Sequence, residues 1–217
     1  MDVPASLGIV EILGIATSVA LLSGWRLYLV VLVTGIAMRT GMVPLPEHLD
    51  SLQVLANPWV LGVAGVGAFC EFFADKIMWL DSVWDTVHTL VRPIGGALLT
   101  LAVVDPGDPA TQVIAFLLGG GGALLAHGGK ASARAVVNTS PEPFSNVAVS
   151  AVEDVATVGL LWLAYEHPVA AVAVAVLLLA ACVALLWLAH RVLKRFFWRT
   201  GEATQHPQVD SAQTRSP

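Results

Sequence analysis

The chain has 217 residues, 56% hydrophobic and only 12% charged, with mean hydropathy +0.75 and a formal net charge of −5. This apolar balance excludes an ordinary soluble domain and points to the membrane class. The acidic net charge, without a long basic run, excludes nucleic acid as a partner, because neutralising phosphates needs clustered Lys and Arg.

The N-terminal MDVPASLGIVEILG has no basic residues before its apolar part, and Glu11 interrupts that part, so a cleaved secretory signal is not expected. From Gly8 to Met38 the chain is apolar for 31 residues, longer than the roughly 20 that cross a bilayer, and Ser23-Gly24-Trp25-Arg26 breaks it. Either one long tilted helix carries Arg26 on a protein-facing side, or two shorter helices meet at the Ser-Gly pair, where Arg26 can reach freed carbonyls. The turn-rich Gly41 to Pro58 reads as an extramembrane loop, and Pro58 opens the next helix. Residues 59–79 are long enough to span, with Gly62, Gly65 and Gly67 as a packing strip.

The stretch from Gly65 to Pro93 starts as apolar as a membrane span and then gathers Glu71, Asp75, Lys76, Asp81, Asp85, His88 and Arg92. An Asp, Lys or Arg at the centre of a spanning helix costs about 2.5 to 3.5 kcal/mol on insertion scales, so such residues face a partner or a water-filled cavity. Glu71 and Asp75 lie four apart on one helical face, flanked by Phe72 and Lys76; Asp81 and Asp85 repeat the spacing and His88 extends it. The competing structural reading ends a span at Asp75 and lays 81–92 at the membrane surface, a place that suits Trp79 and Trp84. Ile94 to Val104 holds only eleven residues, about 16 Å of helix, so it either borrows turns from 84–92 or dips in and returns.

Gly119-Gly120-Gly121-Gly122, within the run from Ala110 to His127, suits closely touching helices. Gly121-Gly-Ala-Leu-Leu repeats Gly95-Gly-Ala-Leu-Leu, which two related halves or chance would both explain. In residues 128–146, Lys130, Arg134 and Asn138 with a Pro-Glu-Pro turn either cradle an anion or form a cytoplasmic loop obeying the positive-inside rule. Residues 146–165 form a span with Glu153-Asp154 in its first third, placed to act as intramembrane acids or to neutralise Arg26, Lys130 or Arg134. The last span, Val169 to Leu188, ends in a basic aromatic run through Arg199, which places the C-terminus in the cytoplasm; Thr200 to Pro217 reads as a disordered tail. Cys70 and Cys182 sit in apolar runs as small buried hydrophobes.

On SGWRLYL (23–29), EFFADKIMWLDSVWDTVHTLVRP (71–93) and NTSPEPFSN (138–146), the chain resembles a bacterial membrane family known as domain-of-unknown-function family 4126, over nearly everything from Leu7 to Phe197. Met78 stands where that family usually carries Pro after ADKI. The resemblance implies a polytopic membrane protein and brings no established activity.

The expected fold is therefore an all-α polytopic helical bundle with broken or re-entrant segments, an internal repeat staying an open alternative. One integral membrane domain is expected over 1–199, followed by the cytoplasmic tail 200–217. The expected setting is the bacterial cytoplasmic membrane, multi-pass, with five or six crossings and an odd number favoured. The reading that gathers most features is a transporter or channel-like protein for an anionic solute or ion. It uses Arg26, Lys130, Arg134 and Asn138 on the anion, with Lys76 beside them and Glu71, Asp75 and Glu153 for a coupling proton or cation. An enzyme reading, ranked behind it, takes Asp81, Asp85 and His88, with Asp75, as a divalent-metal cluster on a lipid phosphate. A scaffold whose charges pair with one another is the third. The expected partners are the lipid bilayer, a small solute or ion and, left open, a second copy of the chain; no cofactor is specified.

Overall fold

A computed structural model of the chain describes residues 9–41, 47–104, 109–137 and 143–203. These residues form α1 (Ile9–Thr40), a 3-10 segment (Glu47–Ala56), α2 (Pro58–Ala74), α3 (Met78–Val103), α4 (Pro109–Val137), α5 (Pro143–Glu166) and α6 (Pro168–Ala203). Proline stands at the first position of α2, α4, α5 and α6, where its missing N–H would have no helical acceptor anyway. Asn57 caps α2 by accepting the Trp59 N–H at 2.9 Å, and Gly41, at φ 64°, ends α1 in the left-handed conformation that glycine adopts without strain.

Five helices are long and apolar enough to cross a membrane, and the protein is multi-pass. Trp59, Val63, Leu90, Val155 and Leu177 are exposed on the outside of the bundle, where lipid rather than water meets them. The centre belongs to α1, whose apolar window is 61% buried against 22% for α4 and α5. Ile15, Val19, Leu22 and Val30 of α1 are within the core, packed with Leu99, Leu161, Val174 and Cys182 from later helices.

The sequence left two forms open for α1, and the broken one is found: Arg26 has φ −143° and ψ 70°, outside helical geometry. The two arms fold back on each other there. Ser18 donates to the Ala171 carbonyl, whereas Thr34 meets the Tyr165 hydroxyl, and these two partners flank the tight α5–α6 corner at His167. A straight helix would separate residues 18 and 34 by about 24 Å, too far for both to reach one corner from a helix running alongside α6. Gly14 against Val172 and Trp25 beside Cys182 fix that parallel course. Both ends of α1 therefore lie at the corner end of the bundle, and its tip, at Arg26, points to the other end.

The next pair repeats the form. α2 descends beside the second arm of α1, with Gly67 under the Tyr28 ring, and stops at Ala74 rather than continuing to residue 79. The stop follows from charge, since Asp75 and Lys76 break the apolar run. α3 starts at Met78 and returns along the first arm of α1 as one continuous helix through Pro93. Ile94 to Val104 thus borrows its missing turns from the charged segment before it. The α3–α4 crossing is glycine-tight: a methyl on Gly96 would lie 2.9 Å from Ser23 Oγ and 3.1 Å from the Gly119 carbonyl. With 17 residues, α2 is about 25 Å long, somewhat less than a roughly 30 Å hydrocarbon layer, and the two tips lie together at the end of the bundle opposite the corner.

Candidate functional site

The two hairpin tips meet, and buried charge is concentrated where they do. Asp75 closes α2, its N–H bonded to the Glu71 carbonyl at 3.1 Å, and its carboxylate is fully buried. Its Oδ2 is shared by three cations from two helices: Arg26 of α1, with which it forms a close ion pair, and Lys130 and Arg134 of α4 at 3.1 and 3.3 Å. Arg134 also donates to the Asp75 carbonyl at 3.0 Å. From α5, Glu153 Oε2 takes Arg134 at 3.0 Å, Arg26 at 3.3 Å and Lys130 at 3.6 Å, while Asp154 meets Arg26 Nε at 3.0 Å. Arg26, Lys130 and Arg134 thus balance Asp75, Glu153 and Asp154, three charges against three, as groups withdrawn from water must.

Arg26 is held at the helix break by more than charge. Its Nη2 also donates to the Ser150 hydroxyl at 3.0 Å and carbonyl at 3.1 Å. One guanidinium therefore ties α1 to the α2–α3 tip and to α5, which a planar fork of five donors can do and a lysine cannot.

A second network lies on the other flank of the tips. Arg92 of α3, fully buried, donates to Glu71 Oε1 at 2.8 Å, to Asp85 Oδ1 at 3.2 Å and to His127 Nδ1 at 2.6 Å. A guanidinium only donates, so His127 Nδ1 accepts and its Nε2 carries the hydrogen shared with the Asp85 carbonyl and Thr89 hydroxyl, both at 3.1 Å. His127 is therefore neutral. His88 is likewise engaged at both ring nitrogens, with the Trp84 carbonyl at 2.7 Å and the Tyr28 hydroxyl at 3.1 Å.

Of the residues singled out in the sequence, Arg26, Asp75, Lys130, Arg134 and Glu153 come together in one network, and Glu71 goes to the other. Lys76 stands at the margin. Its ammonium lies over the Phe72 ring, donates to the Phe72 carbonyl at 3.1 Å and is 3.5 Å from Ser150 Oγ. It lies outside the spanning helices, and partial burial draws it below the usual lysine range, with Asp154 opposing. Asn138 lies outside the described residues. Asp81, Asp85 and His88 share α3 but do not converge: His88 is spent on Trp84 and Tyr28, Asp85 on Arg92, and among the described residues no three such side chains are placed to hold a metal ion.

Two members of the networks were missed as site residues, Arg92 and His127, whereas Asp154 meets Arg26 as one of the two roles read for the Glu153-Asp154 pair. Arg92 had a signal, since it is seven residues beyond Asp85 on the same helical face. His127 had none, because only the α3–α4 crossing brings it to Arg92.

These are the tips that carry the SGWRLYL and EFFADKI motifs, and the comparison with protein families falls on them. The chain belongs to the DUF4126 family, a domain of unknown function. The family model matches residues 13–188, which includes every residue of both networks. No curated protein and no solved structure matches the chain.

Proposed function

We propose that this DUF4126 protein is a transporter for a small anion, with the Asp75 cluster as its central site. The observation that carries the reading is the sharing of one carboxylate oxygen by Arg26, Lys130 and Arg134. Three cations around one oxygen form a site for an anion, and Asp75 occupies it as a tethered placeholder on the short Asp75-Lys76-Ile77 link between two helices. A substrate oxygen that takes the place of Asp75 keeps the three cations compensated. Asp75 then leaves either into water or with a proton, and carrying the proton avoids stranding a bare, uncompensated carboxylate inside the protein. The reading thus joins the anion to a proton of the same translocation step, with no net charge added to the buried cluster.

The setting belongs to the same proposal: a bacterial cytoplasmic membrane, with the basic end of α6 and the hairpin tips toward the cytoplasm, as the bias of Lys and Arg to that side favours. A scaffold is the one competitor with an observation behind it, since the charges pair mutually. Reconstituted liposomes with an internal pH dye separate the two. Chloride, nitrate, phosphate and short carboxylates are added outside in turn, and transport predicts internal acidification with at least one of them that Arg26→Gln abolishes. Passive liposomes with every anion, from protein that melts cooperatively, would leave the scaffold.

A further inference from the structure

We infer that the Asp75 cluster also admits an amphipathic anion, a bilayer lipid with a negatively charged, hydroxyl-bearing headgroup, which reaches it sideways through a cleft between α2 and α5. The inference rests on the reading of that cluster as an anion site and adds a second class of ligand to it.

α2 and α5 make at most glancing contact, and a cleft of about 560 Å³ opens between them. Its walls are apolar, from Leu29, Phe72, Val158 and Gly159, and Phe72 and Val158 are exposed on the surface that faces lipid. Its floor is charged: Arg26, Glu71 and Asp154. Within a bilayer such a cleft holds an acyl chain, because neither water nor vacuum is favourable against apolar walls.

A second cavity, of about 250 Å³ and polar, lies between α3 and α4 and is lined by Asp85, Thr89, His127 and Arg134 among others. The two cavities share no residue, yet one layer of ion pairs is all that separates them. Asp75 joins Arg26 of the cleft to Arg134 of the polar cavity, and Arg92 joins Glu71 of the cleft to Asp85 and His127. Both bridging residues are fully buried. An apolar entrance and a polar chamber meeting at a layer of buried arginines and carboxylates match a molecule with a chain and a charged head; a water-soluble ion has no use for the apolar half.

The hydroxyl requirement comes from Glu71. Its Oε1 is held by Arg92, but Oε2 is buried without a hydrogen-bond partner on the cleft floor, and Asp75 Oδ1 is in the same state beyond it. A buried carboxylate oxygen left unpaired is costly, and a headgroup that donates hydrogen bonds relieves it. Lys76, beside Phe72 at the cleft, supplies a cation for the phosphate.

The test is native mass spectrometry of the full chain in detergent with phosphatidylglycerol, with phosphatidylcholine of the same chains, and with glycerol phosphate as the free headgroup. Wild type should retain one phosphatidylglycerol, bind phosphatidylcholine at least tenfold less, and keep its lipid when glycerol phosphate is added. Gly159→Phe fills the cleft at a position with no neighbouring atom within 4 Å, so it should melt like wild type and lose phosphatidylglycerol at least tenfold; Gly62→Phe, equally open on lipid-facing α2, should retain it. Equal retention by Gly159→Phe, equal binding of phosphatidylcholine, or displacement by glycerol phosphate would each overturn the inference. Failure of the two readings is distinguishable: soluble-anion flux without lipid retention leaves transport and removes the lateral entrance, while cleft-dependent lipid retention without any flux does the reverse.

Discussion

Replacing Asp75 by Asn removes one negative charge from a site with no solvent exposure and leaves Arg26, Lys130 and Arg134 facing only Glu153 and Asp154. Breaking a buried pair by deleting one partner costs about 3 to 5 kcal/mol, and for a chain of this size each kcal/mol lowers Tm by about 2 to 4 °C. The expected drop is therefore roughly 6 to 20 °C, read by thermal unfolding of purified protein in detergent. Two further measurements separate the placeholder role from ordinary ion pairing. Removing a cation as well, in Asp75→Asn/Lys130→Met, restores two charges against two and should recover most of the loss, with a coupling of about 1 to 3 kcal/mol. An anion that occupies the vacated position should also rescue the single variant, by about 2.7 kcal/mol at a concentration one hundred times its Kd. An Asn variant melting within about 2 °C of wild type, or a double variant no more stable than the single one, would refute the reasoning, because either result denies that charge balance at Oδ2 holds the tips together.

Arg92→Lys should lose about 2 to 4 kcal/mol and nearly match Arg92→Met in Tm, because one ammonium cannot meet Glu71, Asp85 and His127 with a guanidinium's fixed fork; full rescue by Lys would disprove that geometry. Gly96→Leu should abolish accumulation of folded protein, since its side chain would enter Ser23 and the Gly119 carbonyl, whereas Gly62→Leu, facing open space, should express normally. Tyr165→Phe should cost about 1 kcal/mol through the lost bond to Thr34, with no change in anion response. In a Cys70→Ala/Cys182→Ala background, single cysteines at Val10 and Gly41 should react with an impermeant thiol reagent from the same side of the membrane, and one at Lys194 from the opposite side; labelling of Val10 and Gly41 from opposite sides would show α1 to be straight.

The membrane class, the helical fold and the presence of most of the charged residues that meet in the two buried networks were determined by the sequence alone. Apolar composition decides the first two, because only helices or closed barrels satisfy their backbone in lipid and nothing here alternates as a barrel strand does. Arg26, Glu71 and Asp75 declared themselves through cost, since an ionised group in an apolar run has to have a partner. For Arg26 the candidate partners were legible, since Glu153 and Asp154 were read as groups to neutralise it; the pairing of Glu71 with Arg92 was not. Whether Arg26 kinked one crossing or closed a hairpin depended on where the α5–α6 corner lay, and that is set by Ser18 and Thr34 meeting residues more than a hundred positions away. Glu71 and Asp75 share a helical face, which argued for a common role, yet they answer to different arginines because α3 and α1 approach that face from different sides. His127 entered its network only because glycines let α3 and α4 approach closely enough for Arg92 to reach it. Helical periodicity places a charge on a face, but which charge it meets is fixed by how whole helices pack, and the sequence carries that information only in the small residues that permit the crossing.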